Sequence, residues 1–153
     1  FRCEVCDYSS SLKGPLKRHV TAVHEKNKSF KCELCTVCFS HKDHMKKHAD
    51  LIRPKFEIAY KALEKLDKDI GEYSRPTGGY FITFTSHKPI ASKIVELCKE
   101  AGVLLTPAGA THPYGNDPKN NTLRIAPTFI NEKELEIAMD VFVTAAQIAH
   151  SQA

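Results

Sequence analysis

Four side chains within the first 24 residues constrain this chain most. Cys3, Cys6, His19 and His24 follow the spacing C-x2-C-x12-H-x4-H. A tight turn joins the two cysteines, and a helix presents the two histidines about one turn apart. Two thiolates and two imidazoles are a complete donor set for tetrahedral Zn²⁺. A segment this short cannot bury enough surface to fold alone. Metal binding supplies the deficit, roughly 10–16 kcal/mol for comparable peptides at neutral pH. The cysteine pairs with histidines downstream, in a chain that opens on FRCEVC without a visible secretion signal, point to metal rather than disulfides.

This spacing resembles the C2H2 zinc-finger family, whose fold is a small ββα unit. Leu16 takes that family's core leucine position, and Tyr8 stands in for the core aromatic because the usual position is Ser10. The family reads bases from helix positions −1, 3 and 6, which fall on Leu12, Pro15 and Arg18. Of these only Arg18 suits the O6/N7 edge of guanine. Lys13 and Lys17 are expected to reach phosphates.

After the five-residue linker EKNKS, Phe30 and Cys32 restart the pattern set by Phe1 and Cys3. Cys32, Cys35 and His48 repeat three of the four ligands. A second histidine is due at 52 or 53, where the chain has Ile52 and Arg53. The second finger is therefore incomplete, with water at the open position or Cys38 or His44 substituting. Phe39 and Met45 fall on its core positions, and His41, His44 and Lys47 on its groove-facing positions.

From residue 49 the zinc-site pattern ceases. Phe56, Ala59, Tyr60, Leu63, Leu66 and Ile70 form one apolar stripe, a helix with Pro54 near its start and Gly71 at its end. The turn SRPTGG leads to a strand in YFITFT. A second helix carries Ile90, Ala91, Ile94, Leu97, Cys98 and Ala101 and closes at Gly102. VLLTP and TLRIA read as further strands around a Pro-, Gly- and Asn-rich loop over 107–121. Asn131 and Glu134 cap the last helix, with Leu135, Ala138, Met139, Phe142, Ala145, Ala146 and Ala149 inward. The expected fold is a small ββα zinc finger at 1–29, an incomplete finger at 30–48, and an α+β domain at 49–153 with helices packed on a small mixed sheet. Cys98 reads as a small buried apolar residue.

RPKFE before a helix, GGYF, and EAGVLLTPAGATHPYGNDPKNNTLRIAPTF before a closing helix resemble the C-terminal small domain of a class I (fold type I) pyridoxal-phosphate aminotransferase of the aspartate aminotransferase kind. The likeness covers about residues 49–153, and HMKKHA also suits that family's preceding helix. It implies that Arg124 binds a substrate α-carboxylate; considered without the family, Arg124 reads as a strand arginine paired with a neighbouring acid. The family's Schiff-base lysine and phosphate-binding loop belong to its large domain. Lys88, Lys93 and Lys119 match no cofactor lysine, so pyridoxal phosphate is implied by resemblance only and is not expected to bind this chain. His87, His112 and His150 read as surface or loop residues.

Charge separates the two parts. Residues 1–50 hold ten Lys and Arg against six Asp and Glu, and five of the eight histidines; residues 51–153 hold twelve against twelve. A basic, Cys- and His-rich segment beside a neutral one points to duplex DNA or RNA as partner. No apolar run reaches membrane-spanning length. The leading expectation is a zinc-binding, nucleic-acid-binding module fused to a truncated, catalytically incompetent small domain. The alternatives are a fragment of an aminotransferase whose activity needs the missing large domain, and a non-enzymatic scaffold that binds protein. The location is nuclear if the finger half governs and cytoplasmic if the other half does. The join itself suggests an artificial or mispredicted chimera.

Overall fold

The computed structural model describes residues 1–25, 28–35, 37–76 and 79–153. The middle of the EKNKS linker, Thr36, and the Thr77–Gly78 part of the SRPTGG turn lie outside the described residues.

The first unit is a compact loop followed by helix α1 (Lys13–His19) and a π-helical turn (Val20–His24). In place of the two expected strands there is a single bridge between Arg2 and Ser9. It is extended by bonds from Cys3 N to Tyr8 O and from Ser10 N to Phe1 O, both 2.8 Å. The second unit has a short hairpin of β1 (Phe30–Lys31) and β2 (Cys38–Phe39), with Phe30 opposite Phe39 and Lys31 opposite Cys38. The hairpin turn carries Cys32 and Cys35, and Cys32 N bonds Val37 O at 3.0 Å.

Helix α2 (Lys42–Leu63) runs unbroken from the second unit into the α+β part. Pro54 therefore sits in its interior, not near a start. Its buried residues Ile52, Phe56, Ala59, Ala62 and Leu63 follow helical spacing. The helix stops seven residues earlier than the apolar stripe predicts. Leu66 and Ile70 lie instead in successive turns, closed by Leu66 N to Leu63 O and Ile70 N to Asp67 O.

Strands β3 (Gly71–Tyr73), β4 (Ile82–Ser86) and β5 (Thr122–Ile125) form one sheet in that order. Both pairings are antiparallel, so the expected mixed sheet is corrected. The segment VLLTP forms no strand. It packs beside Leu135 and Met139 through its side chains, and β5 has β4 as its ladder partner. The strand missed is β3, three residues long and directly after a helical stripe. Gly71 is required there: a Cβ would lie 2.5 Å from Thr85 O and 2.9 Å from Ser86 Cα.

Helices α3 (Ala91–Glu100) and α4 (Glu132–Ser151) complete the layer, with α4 packing on both α2 and α3. Gly102 closes α3 at φ +85°, and the Asn131 side chain accepts from Glu134 N at 3.0 Å, as their positions predict. Ile82, Phe84, Leu123 and Ile125 alternate inward along β4 and β5. Phe84 meets Phe142 edge to face at 5.3 Å. Among the described residues no helix is long and apolar enough to cross a membrane.

The core is continuous. Cys32 and Cys35 belong to the same buried cluster as Ile52, Phe56, Phe84 and Phe142, and Leu34, Val37, Phe39, Met45 and Tyr80 pack against it. The second unit is thus built onto the α+β layer rather than tethered to it.

Candidate functional site

Cys3, Cys6, His19 and His24 bring their ligand atoms within 4.8 Å of one another. The five-residue step from His19 to His24 is longer than a helical turn; on an α-helix it would carry His24 about 140° round the axis. The π-helical turn removes that offset. Its bond from Glu25 N to Val20 O, 3.0 Å, spans five residues and widens the coil. The two imidazoles then meet edge to face with centroids 5.0 Å apart. Tyr8 stacks on His19 at 4.1 Å but is 40% exposed, so it covers a ligand histidine rather than filling the core position expected of it. Cys6 Sγ and His19 Nε2 are 3.1 Å apart. Val5 N donates to Cys3 Sγ at 3.5 Å, and this donor outweighs burial to hold the Cys3 thiol below its ordinary pKa. The buried His24 Nε2 has no hydrogen-bond partner among the described residues. Zinc–sulfur and zinc–nitrogen bonds of about 2.3 and 2.0 Å need donors that converge in this way.

Cys32, Cys35 and His48 form a second group whose ligand atoms also lie within 4.8 Å of one another. Cys35 Sγ and His48 Nε2 are 3.0 Å apart. Both cysteines are shut off from solvent, 1% and 0% exposed. Ile52 is buried in the core and Arg53 is exposed, so neither closes the set. Cys38 and His44, the proposed substitutes, lie outside the group; His44 pairs with His41 at 5.3 Å between ring centroids. Tyr80, from the segment before β4, meets the His48 ring at nearly a right angle, with centroids 6.4 Å apart, a contact that was not legible in the sequence. Burial, first, pushes the Cys35 thiol and the Tyr80 phenol up from their ordinary values.

The candidate base- and phosphate-contacting residues of the first helix, Lys13, Lys17 and Arg18, are all exposed. Lys13 lies over the Phe1 ring at 5.4 Å. In the second unit His44 and Lys47 are exposed on α2 and His41 precedes it.

Arg124 projects from β5 opposite Thr83, on the sheet face away from Leu123 and Ile125. No carboxylate pairs with it among the described residues. Its guanidinium stacks on Phe81 at 4.4 Å, and its buried Nε has no hydrogen-bond partner among the described residues. A cavity of about 180 Å³ opens beside it, lined by Leu104, Thr106, Phe129 and Met139 among others. An unpaired planar fork at the rim of an apolar cavity suits a carboxylate.

The loop that leads into β5 is organised by Asp117, a residue the sequence reading passed over. Its carboxylate accepts from Lys119 N, Asn121 N and Thr122 N at 2.9–3.0 Å. Burial raises its pKa, but the three donors together reverse this and hold the carboxyl below the usual range. The Asp-Pro step inside a Gly- and Asn-rich stretch was the available signal. Of the lysines, Lys88 donates to His150 O and Lys93 pairs with Glu96. His87 contacts Lys68 O, and His150 lies on α4 with a buried, unpartnered Nδ1 rather than in a loop.

A C2H2-type zinc-finger domain model matches residues 1–26, and an aspartate amino-transferase family model matches residues 36–153. The chain is 42% identical over 106 residues to an aspartate aminotransferase of Corynebacterium glutamicum, covering 66% of this chain and 24% of that protein. A crystal structure of an aspartate transaminase from Corynebacterium glutamicum is 38% identical with a TM-score of 0.68, over 71% of this chain and 26% of the other. An alpha-aminoadipate aminotransferase from Thermus thermophilus shares the fold at TM-score 0.63 and 20% identity, over 72% and 28% of the two chains. The chain spans about a quarter of the length of the curated relatives it matches. Its match to the aminotransferase family reaches back to residue 36 and so takes in the whole of α2, including His48. With a zinc-finger segment ahead of it, the greater part of this chain belongs to the aspartate amino-transferase family.

Proposed function

We propose that this chain is a zinc-binding, nucleic-acid-binding finger module joined to an aminotransferase-type small domain that does not transaminate by itself. The observation that carries the reading is the convergence of Cys3, Cys6, His19 and His24 within 4.8 Å. That donor set is a standard one for tetrahedral Zn²⁺. Arg18, flanked by Lys13 and Lys17 on the exposed side of α1, supports contact with duplex DNA or RNA, as does the excess of basic residues in the first third. His41, His44 and Lys47 extend the same role to the second unit.

In the small domain, Arg124 is the carboxylate fork. Its orphaned Nε and its place beside the cavity support that role. Lys88 donates to His150 O, Lys93 pairs with Glu96 and Lys119 lies in the loop before β5, so none of these three is assigned to hold pyridoxal phosphate covalently. When bound in the relatives' family, that cofactor supplies the electron sink for chemistry at an amino acid's α-carbon. The second reading, a piece of an aminotransferase whose activity needs the rest of that enzyme, draws on Arg124 as well. We place the protein in the nucleus where the finger half governs.

Three measurements on the purified chain decide between the readings. Metal analysis gives at least one zinc per chain, lost from the first site in Cys3→Ser. Binding to a short DNA duplex weakens steeply with salt and falls in Arg18→Ala; no binding at low salt overturns the nucleic-acid role. Titration with pyridoxal phosphate leaves no cofactor absorbance on the protein after gel filtration; a retained band overturns the claim that the chain is inactive alone.

A further inference from the structure

Two apolar faces among the described residues stand open to solvent, and they match each other. We propose that α1 of one copy docks on the outer face of α4 of a second copy, so that the protein self-associates through its basic leading helix and its acidic closing helix.

The first face lies on α1, a helix with no buried residue among those described. Phe1, Leu16 and Val20 floor a groove of about 700 Å³, with Lys13 and Lys17 on its rim and Glu25 past the π-helical turn. Phe1 is 57% exposed, and a Cβ added at Gly14 would meet nothing within 4 Å. This is not the side assigned to base reading. At about 100° per residue, Leu12, Pro15 and Arg18 gather on one side of the helix, and Lys13, Leu16, Lys17 and Val20 on the other. An apolar floor offers a phosphate backbone no contact.

The second face lies on α4. Beside the stripe that this helix turns to the core, Ile137, Val141, Thr144 and Ile148 recur every three or four residues on its outer side. With Leu97 of α3 they line a groove of about 400 Å³ that has Asp140 on its rim. Ile137 is 66% exposed and Ile148 39%. A second apolar stripe outside the core marks a contact surface.

Length and charge pair the two faces. From Lys13 to Glu25, and from Ile137 to Ile148, each runs roughly 17 Å at a rise of about 1.5 Å per residue. Helix α1 carries Lys13, Lys17 and Arg18 without an acid, formally +3; α4 carries Glu132, Glu134, Glu136 and Asp140 against Lys133, formally −3. Opposite charge of this kind steers two surfaces together and fixes their register.

The same charges select the orientation. All the acids of α4 lie in its first half, and Glu25 follows α1. A parallel arrangement sets Lys13 opposite Glu134, Leu16 opposite Ile137 and Val20 opposite Val141, and carries Glu25 beyond the acids toward His150. The antiparallel arrangement would set Glu25 against Glu132 and Glu136. Each copy offers both faces, so the contact is made twice where a pair closes on a twofold axis.

The test is sedimentation of the full chain, zinc-saturated and free of nucleic acid, from micromolar to millimolar concentration. The average mass should rise above that of one chain with concentration, and less so in high salt. Lys13→Glu sets like charges together and Ile137→Arg puts a charge in the apolar seam, so each should weaken association at least about tenfold. Lys13→Glu combined with Glu134→Lys should restore it. A Lys13→Glu chain keeps its α4 face and an Ile137→Arg chain keeps its α1 groove. The two, monomeric when alone, should therefore form a mixed pair, which also shows that both variants fold. A mass that stays monomeric at every concentration overturns the proposal, as does association that neither variant weakens. So does a Lys13→Glu chain that associates normally and loses only its affinity for a DNA duplex, which gives the α1 face to nucleic acid. Arg18 is unchanged throughout, so base reading is scored separately from self-association.

Discussion

Pro54 stands in the thirteenth of the 22 positions of α2, and its replacement by alanine tests how that helix is held. Proline in a helix interior costs about 3 kcal/mol relative to alanine, through the missing N–H and the clash of its ring with the carbonyl four residues back, here that of Asp50. Three terms offset this. Alanine widens the unfolded ensemble, worth about 0.4–1 kcal/mol against the native state. The ring is half-buried, and its loss removes some apolar burial at roughly 25 cal/mol per Å². Asp50 is exposed, so water already satisfies part of its carbonyl's need. The net expectation for Pro54→Ala is a gain of about 1–2 kcal/mol. Urea unfolding of the full chain followed by far-ultraviolet circular dichroism, at saturating zinc, measures it as a shift in midpoint at unchanged slope. A loss of stability, or no change, would refute the argument. It would mean that a bend at Pro54 lets one helix serve His48 at one end and the core at the other.

Three further outcomes are expected. Asp117 has a folded pKa below its unfolded value of about 3.9, so its contribution is present above that pH and disappears as pH falls through the folded value. Acid unfolding below about pH 4 should be shallower in Asp117→Asn, read from urea midpoints across that range. Cys98 is fully buried and its thiol is pushed up to about 11, so a thiol-alkylating reagent should modify it only in unfolded protein, as peptide mass mapping would reveal. Gly71→Ala sets a methyl against Thr85 O and Ser86 Cα; overpacking of that kind costs about 1–3 kcal/mol, and thermal melts should show the loss.

What the sequence disclosed follows the range of the interactions involved. The burial of α3 and α4 repeats every three to four residues, and their closing glycine and capping asparagine are local devices, so both helices could be read directly. The four-ligand group was legible because all its members lie within 24 residues. Strand β3 was not, since its three residues acquire strand geometry only by pairing with β4. Val103–Thr106 has the composition of a strand but packs along a cavity instead of a ladder. The end of α2 was misplaced because Leu66 and Ile70 continue its apolar spacing from turns. Arg124 was recognised by resemblance alone. Its buried nitrogen, without a partner among the described residues, is visible only in three dimensions.

The two metal groups also differ in how far the chain must travel to assemble them. Everything the first needs is contained between Cys3 and His24, so it can close within a single short loop. The second draws its cysteines from one hairpin and its histidine from α2, and its cysteines are buried in the same cluster as Phe84 of β4 and Phe142 of α4. Closing longer loops costs more entropy, and contacts distant along the chain form later. During synthesis or refolding with scarce zinc, the leading group should therefore load at once, and the trailing one only after the sheet has docked. Occupancy of the second would then act as a timer that reports when the body of the protein has finished folding.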